Sequence, residues 1–116
     1  MGTLVQLAEA PSLAPVQVSS KELSEELDLA GVLHALSDPV RLLIVAQLSD
    51  GREHTCGGFE LPVSKSTASH HFRVLRESGV VSTRIDGKNR FNRLQREQLG
   101  QRFPGLLDAV LRAQAS

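Results

Sequence analysis

Apolar positions recur at helical intervals over most of the chain, and one stretch near residue 85 instead carries β-prone runs around a turn. Ser19 followed by Glu22 has the spacing of a capping box. Leu23, Leu27, Ala30 and then Leu33 or His34 follow as one stripe, which predicts a first helix over about 20–36. Asp38-Pro39 starts a second helix, because proline has no N–H to waste at the first helical position. Its stripe is Val40, Leu43, Ile44 and Leu48, and Asp50-Gly51 ends it. Residues 52–63 read poorly: Gly57-Gly58 and Pro62 leave room only for a short helix around Phe59. Ser64 caps a third long helix, Lys65 to Ser78, which Gly79 stops. Ala68, Phe72 and Leu75 lie on one side of it with Val74 beside them. Lys65, Ser66, Ser69, His70 and Arg73 lie on the other. Two β-prone runs around Asp86-Gly87 predict a hairpin over Val80–Leu94. Helices over 95–102 and 105–113, separated by Pro104, close the chain, the last with a stripe of Leu106, Leu107, Val110 and Leu111.

These elements predict a mainly α fold with a small β-hairpin: a winged helix-turn-helix of about five to six helices and a two-stranded wing. Residues 1–18, with Pro11, Pro15 and no sustained period, read as a flexible N-terminal arm, and 19–116 as one DNA-binding and dimerisation domain. The only aromatic residues among the 116 are four Phe, so Leu, Val, Ile and Ala must fill the core, which suits packed helices. One core of this size is marginal, and a dimer would bury more apolar surface.

Formal net charge is zero, and its distribution carries the information. Residues 1–60 hold three bases against nine acids, whereas 61–93 hold seven bases (Lys65, Arg73, Arg76, Arg84, Lys88, Arg90, Arg93) against Glu77 and Asp86. A local positive surface steers a polyanion whatever the whole-chain sum. The single cysteine, Cys56, excludes an intramolecular disulfide framework. Neither a membrane span nor a signal peptide is visible, so a cytoplasmic protein is expected.

The division of the Lys65–Ser78 helix points to DNA. The B-form major groove, about 12 Å wide, admits one helix that has an apolar back and short polar residues towards its N-terminus. Lys65, Ser66, Thr67, Ser69, His70 and Arg73 meet that description, while Arg84, Lys88 and Arg90 on the hairpin suit backbone phosphates or the minor groove. Enzyme chemistry is not expected, since no nucleophile elbow, phosphate loop or paired catalytic carboxylates occur. A protein-interaction winged helix without DNA binding is the alternative, and the retained Lys65, Arg73, Arg84, Lys88 and Arg90 count against it.

The run Ala35-Leu36-Ser37-Asp38-Pro39-Val40-Arg41 resembles the opening signature of the ArsR/SmtB bacterial repressors. The run Ser64 to Val81 resembles their recognition helix and the start of their wing. The resemblance spans about residues 29–94. It implies a homodimer joined through first and last helices (here Leu23, Leu27, Leu106, Leu107, Val110 and Leu111), a pseudo-palindromic operator, and repression relieved by an inducer. It also implies base reading by Lys65, Ser66, Ser69 and His70. The chain departs from the family in its short, glycine-bearing segment 55–63 and in having no histidine in 95–116, where some members bind metal. His54 and Cys56, near Glu53 and Glu60, are the remaining candidates for a transition-metal effector. They are two soft ligands where a closed zinc site takes four, and a small apolar thiol beside a surface histidine is the alternative. A separate sensor protein stays open as a partner. His34 reads as packed or interfacial and Arg41 as a structural ion-pair partner. Of His70 and His71, which point about 100° apart on a helix, one faces DNA and one supports the helix.

Overall fold

The structure, a computed structural model, describes residues 27–115. The predicted arm, the Ser19–Glu22 capping box and Leu23 lie outside the described residues. Five α-helices are described: α1 (Leu29–Ala35), α2 (Pro39–Gln47), α3 (Lys65–Ser78), α4 (Arg96–Arg102) and α5 (Leu106–Ala115). With them stands an antiparallel sheet of β1 (His54–Thr55), β2 (Val81–Asp86) and β3 (Asn89–Leu94), in the order β1-β3-β2.

Capping chemistry sets the helix limits. Asp28 has extended backbone and accepts from the Gly31 N–H, so α1 starts at Leu29 and no single helix runs unbroken over 20–36. Asp38 accepts from the N–H groups of Val40 and Arg41 with Pro39 in the first turn, as the sequence predicts. A 3-10 turn, Leu48–Asp50, then leads to Gly51 at φ 80°. Ser64 caps α3 by accepting from Thr67 N–H at 3.2 Å. At its other end Gly79 sits at φ 86°, with Gly79 N–H and Val80 N–H bonded to the carbonyls of Arg76 and Leu75. That is the pattern of a Schellman stop.

Two expectations are corrected. Residues 55–63 hold no α-helix: a 3-10 turn, Cys56–Gly58, is followed by extended Phe59. The two glycines and Pro62 deny a helix its backbone economy, and Phe59 is anchored instead by its ring, 5.0 Å from that of Phe72. The two-stranded wing, β2 and β3, is also joined by a third strand. His54 and Thr55 pair with Asn92 and Phe91, adding a third strand too short to leave a pattern in the sequence. The hairpin itself turns on Gly87-Lys88, one residue later than expected, because Asp86 pairs with Asn89. Gly87, at φ 65°, takes the first central position, the only one of the two with positive φ, as a type II′ turn requires.

The core is aliphatic, with Val32 and Ala35 of α1, Ile44 and Val45 of α2, Leu48, Phe72 and Leu75 of α3, Val80, Val81 and Leu94 of the wing base, Leu99 and Leu107. It joins both the sheet and the first two helices to α3. Three polar residues are buried with it, Arg41, His71 and Asn92, and each is partnered. Asn92, fully buried on β3, accepts from the Thr83 hydroxyl at 2.8 Å and donates to the His54 carbonyl at 3.2 Å. One amide thereby ties all three strands, since a buried polar group must find partners. Among the described residues no single helix is long and apolar enough to cross a membrane.

Candidate nucleic-acid interface

The helix α3 is anchored by its apolar back. Phe72 and Leu75 are in the core and Ala68 and Val74 pack against it, so the opposite side is forced outward. Lys65, Ser66, Thr67, Ser69, His70 and Arg73 are all exposed on that helix. The first turn is held by a hydroxyl cluster: Ser64 Oγ lies 3.2 Å from Ser66 Oγ and donates to Thr67 Oγ1 at 3.1 Å. The two adjacent histidines stand in different environments. His70 is exposed and His71 buried, with ring centroids 5.5 Å apart.

The wing divides the three cations expected to meet DNA. Lys88 sits in the turn and Arg90 on β3, both exposed. Arg84 is exposed too, but its fork is engaged: Nε and Nη2 donate to the two carboxylate oxygens of Glu53 at 3.0 and 2.8 Å, and the guanidinium lies 4.5 Å from the Phe91 ring. Side-chain hydrogen bonding to Arg84 lowers the Glu53 pKa from its ordinary 4.5, against a smaller effect of burial. The same bond raises the Arg84 pKa. Nothing in the spacing of 53 and 84 signals this pair; it follows from β1 bringing residue 53 beside the hairpin.

The metal candidates are drawn into other contacts. His54 Nε2 is 2.9 Å from Asp50 Oδ2 and its ring is 5.6 Å from that of Phe59. The Arg52 N–H bond, with smaller help from His54, lowers the Asp50 pKa from 3.8. Cys56 is exposed, and its Sγ accepts from Asn92 Nδ2 at 3.4 Å. Glu53 holds Arg84, and the Glu60 N–H donates to the Gln47 side chain. Among the described residues no three metal-ligating side chains gather.

Arg41 is structural, but its partners are not those of an ion pair. Its Nε donates to the Ala35 carbonyl at 2.7 Å, Nη2 to the His34 carbonyl at 3.2 Å, and Nη1 lies 3.0 Å from His71 Nδ1. Arginine thus reaches the last carbonyls of α1, sharing that of His34 with the N–H and hydroxyl of Ser37. His34 itself is exposed within the protomer, which removes a packed role. Burial opposes the charge on Asp38, but the N–H bonds from Arg41 and Val40 and the nearby His71 and Arg41 outweigh it, so its pKa is lowered from 3.8.

Of the apolar residues expected at a dimer interface, Leu27 and Leu107 are buried within the protomer, while Leu106, Val110 and Leu111 are half-buried at the edge of the core. Leu29 and Leu33, one turn apart on α1, are 47% and 46% exposed.

A capped helix with an outward polar face, seated on a helical core beside a basic hairpin, defines a winged helix-turn-helix DNA-binding protein. Residues 38–83 match the family described as bacterial regulatory protein, arsR family. The uncharacterized HTH-type transcriptional regulator YceK of Bacillus subtilis is 36% identical over 90 residues, covering 75% of this chain and 90% of that one. The chain belongs to the ArsR family of DNA-binding transcriptional repressors and is not an enzyme. The arsenical resistance operon repressor of Staphylococcus xylosus is 37% identical over 73 residues, 62% of this chain and 70% of that protein. Among solved structures, the transcriptional repressor BigR from Xylella fastidiosa superposes with a TM-score of 0.59 at 37% identity, covering 73% of this chain and 84% of that one.

Proposed function

We propose that the chain works in the cytoplasm as a homodimer on a pseudo-palindromic operator, with α3 in the major groove and the wing on the neighbouring backbone. Two copies related by a two-fold axis present two recognition helices to successive turns of the duplex, which is why a dimer reads a palindrome. The observation that carries this reading is the outward face of α3, where Lys65, Ser66, Thr67, Ser69, His70 and Arg73 are exposed while Phe72 and Leu75 hold the helix from behind. Lys88 and Arg90 suit phosphates beside the groove. The exposed Leu29 and Leu33, with Leu106, Val110 and Leu111, supply the apolar surface for the second copy.

The test is a titration of the purified protein into labelled duplex from upstream of its own gene and into a scrambled duplex, over a salt series with EDTA and zinc arms. Tight binding to the upstream duplex alone, with log K falling by about five or more per log unit of salt, supports the reading. Equal, weak binding to both duplexes would instead favour a protein-interaction module. Release by zinc points to a metal effector acting through His54 and Cys56. Indifference to zinc and EDTA points to a signal relayed by a separate sensor protein.

A further inference from the structure

The recognition helix is joined to the rest of the protein by one polar contact with a strict protonation requirement. His71, on α3, is 8% exposed, and Arg41, on α2, is 7% exposed. Arg41 Nη1 is 3.0 Å from His71 Nδ1. A guanidinium only donates, so Nδ1 must accept, and the imidazole must be neutral with its proton on Nε2. The other nitrogens of Arg41 are committed to the carbonyls of Ala35 and His34 at the end of α1. Arg41 therefore links α1, α2 and α3 at once, and its hold on α3 depends on a lone pair that a proton would consume.

A second acceptor stands by. Asp38 Oδ2 lies 3.7 Å from the same Nδ1, beyond hydrogen-bond range for the neutral ring but well placed to attract an imidazolium. Adding a proton to Nδ1 sets N–H against N–H on the Arg41 side and draws the ring towards Asp38, the cap of α2. The remaining charges near this joint do not substitute for either partner. His70 neighbours the ring on α3, His34 is exposed on α1, and Arg84, the one cation of β2, is held on the wing by Glu53 and Asp86.

We propose that Arg41 and His71 are the positioning residues that seat the recognition helix, and that they do so only while the His71 imidazole is neutral. Operator affinity then falls as that ring takes a proton. This deepens the DNA-binding reading and rests on it. The sign follows from linkage: the protonated ring disfavours the DNA-competent seating, so DNA and the proton oppose each other, and affinity is highest on the alkaline side.

The experiment uses a duplex that the full chain selects from a random pool at about pH 8, and measures affinity down to about pH 5, the range in which imidazoles titrate. The parent is His70→Ala, which removes the second imidazole of α3 from the comparison. In that parent affinity should fall with acid, approaching about tenfold per pH unit, the limit for one linked proton. Adding His71→Asn places an amide oxygen, always an acceptor, near the Nδ1 position. It should keep the alkaline affinity and flatten the pH profile. Adding His71→Leu should weaken binding about tenfold even at about pH 8, because Arg41 loses its acceptor. Identical pH profiles for the parent and for the parent carrying His71→Asn would overturn the proposal. If His71→Asn does not fold, nitrogen-15 spectra of the wild-type imidazoles decide: the Nε2–H tautomer is expected at about pH 8, and an Nδ1–H tautomer overturns it. A wild-type protein that selects no duplex at about pH 8 would overturn the DNA-binding reading itself, whatever tautomer the spectra show.

Discussion

Side chains that look alike in the sequence have different work once their partners are known. Lys65 and His70 are exposed on α3, away from the core, so Lys65→Ala or His70→Ala should weaken operator binding with the melting temperature nearly unchanged. Calorimetry beside the binding assay checks this, and a lost folding transition would place those side chains in the packing. Arg84 and Arg90 differ more. Arg90→Ala should flatten the salt slope by about one unit, as for one phosphate contact. Arg84 is forked onto Glu53, so the informative change is Glu53→Gln, which frees a guanidinium on the wing. Binding to any sequence should then tighten and the salt slope steepen by about one unit. Weaker binding after Glu53→Gln would mean instead that the pair holds the wing in position. Exposure of the α3 face was legible in the sequence because helical periodicity separates Phe72 and Leu75 from Ser69 and His70. The contacts of Glu53 with Arg84, Arg41 with His71, and Asn92 with Thr83 and His54 were not legible. Three of these contacts join residues 30 to 38 positions apart, which only tertiary structure brings together, and Thr83 faces Asn92 only in the register set by the Gly87-Lys88 turn.

Elements whose ends are fixed by local chemistry were the readable ones. Asp38-Pro39 and Ser64 start α2 and α3 where the sequence places them, and Gly79 stops α3. The segment 52–63 resisted reading because a two-residue strand has no period and a 3-10 turn has no stripe. Gly79 is the most exacting of these positions. Its backbone is left-handed, and a Cβ added there would collide with Leu27 Cδ2. Gly79→Ala therefore combines backbone strain of about 1–3 kcal/mol with a displaced core leucine at the junction of recognition helix and wing. Denaturant unfolding should show the loss as a lower midpoint at similar slope. A gain in stability, the usual result where a glycine has ordinary helical backbone, would show that the junction relaxes at little cost.

At the scale of the whole molecule, the apolar surface and the acids decide assembly and stability. Leu29 and Leu33 are too exposed for a lone protomer's benefit, and α5 borders the core with its own half-buried stripe. Leu33→Asp or Leu111→Asp should yield monomers in sedimentation, because an unpaired charge at a dry interface is costly. An unchanged mass for both would move the interface elsewhere. The acids act within each protomer. Asp38, Asp50 and Glu53 all have pKa values lowered in the folded protein, from ordinary values of 3.8, 3.8 and 4.5. A lowered carboxylate contributes stability that is fully present above its unfolded value and is lost as pH falls through its folded value. The melting temperature should therefore drop steeply below about pH 4, where all three begin to protonate. Asp38 supplies the part of this loss that can be isolated. Asp38→Asn keeps a good helix cap, so the variant should fold, yet it carries no charge to lose. Its melting temperature should start lower than wild type at about pH 5 and fall less on the way to about pH 3. Parallel curves for the two proteins would assign the acid loss to Asp50 and Glu53, and flat curves for both would show that these contacts do not outlast the folded state's own fluctuations.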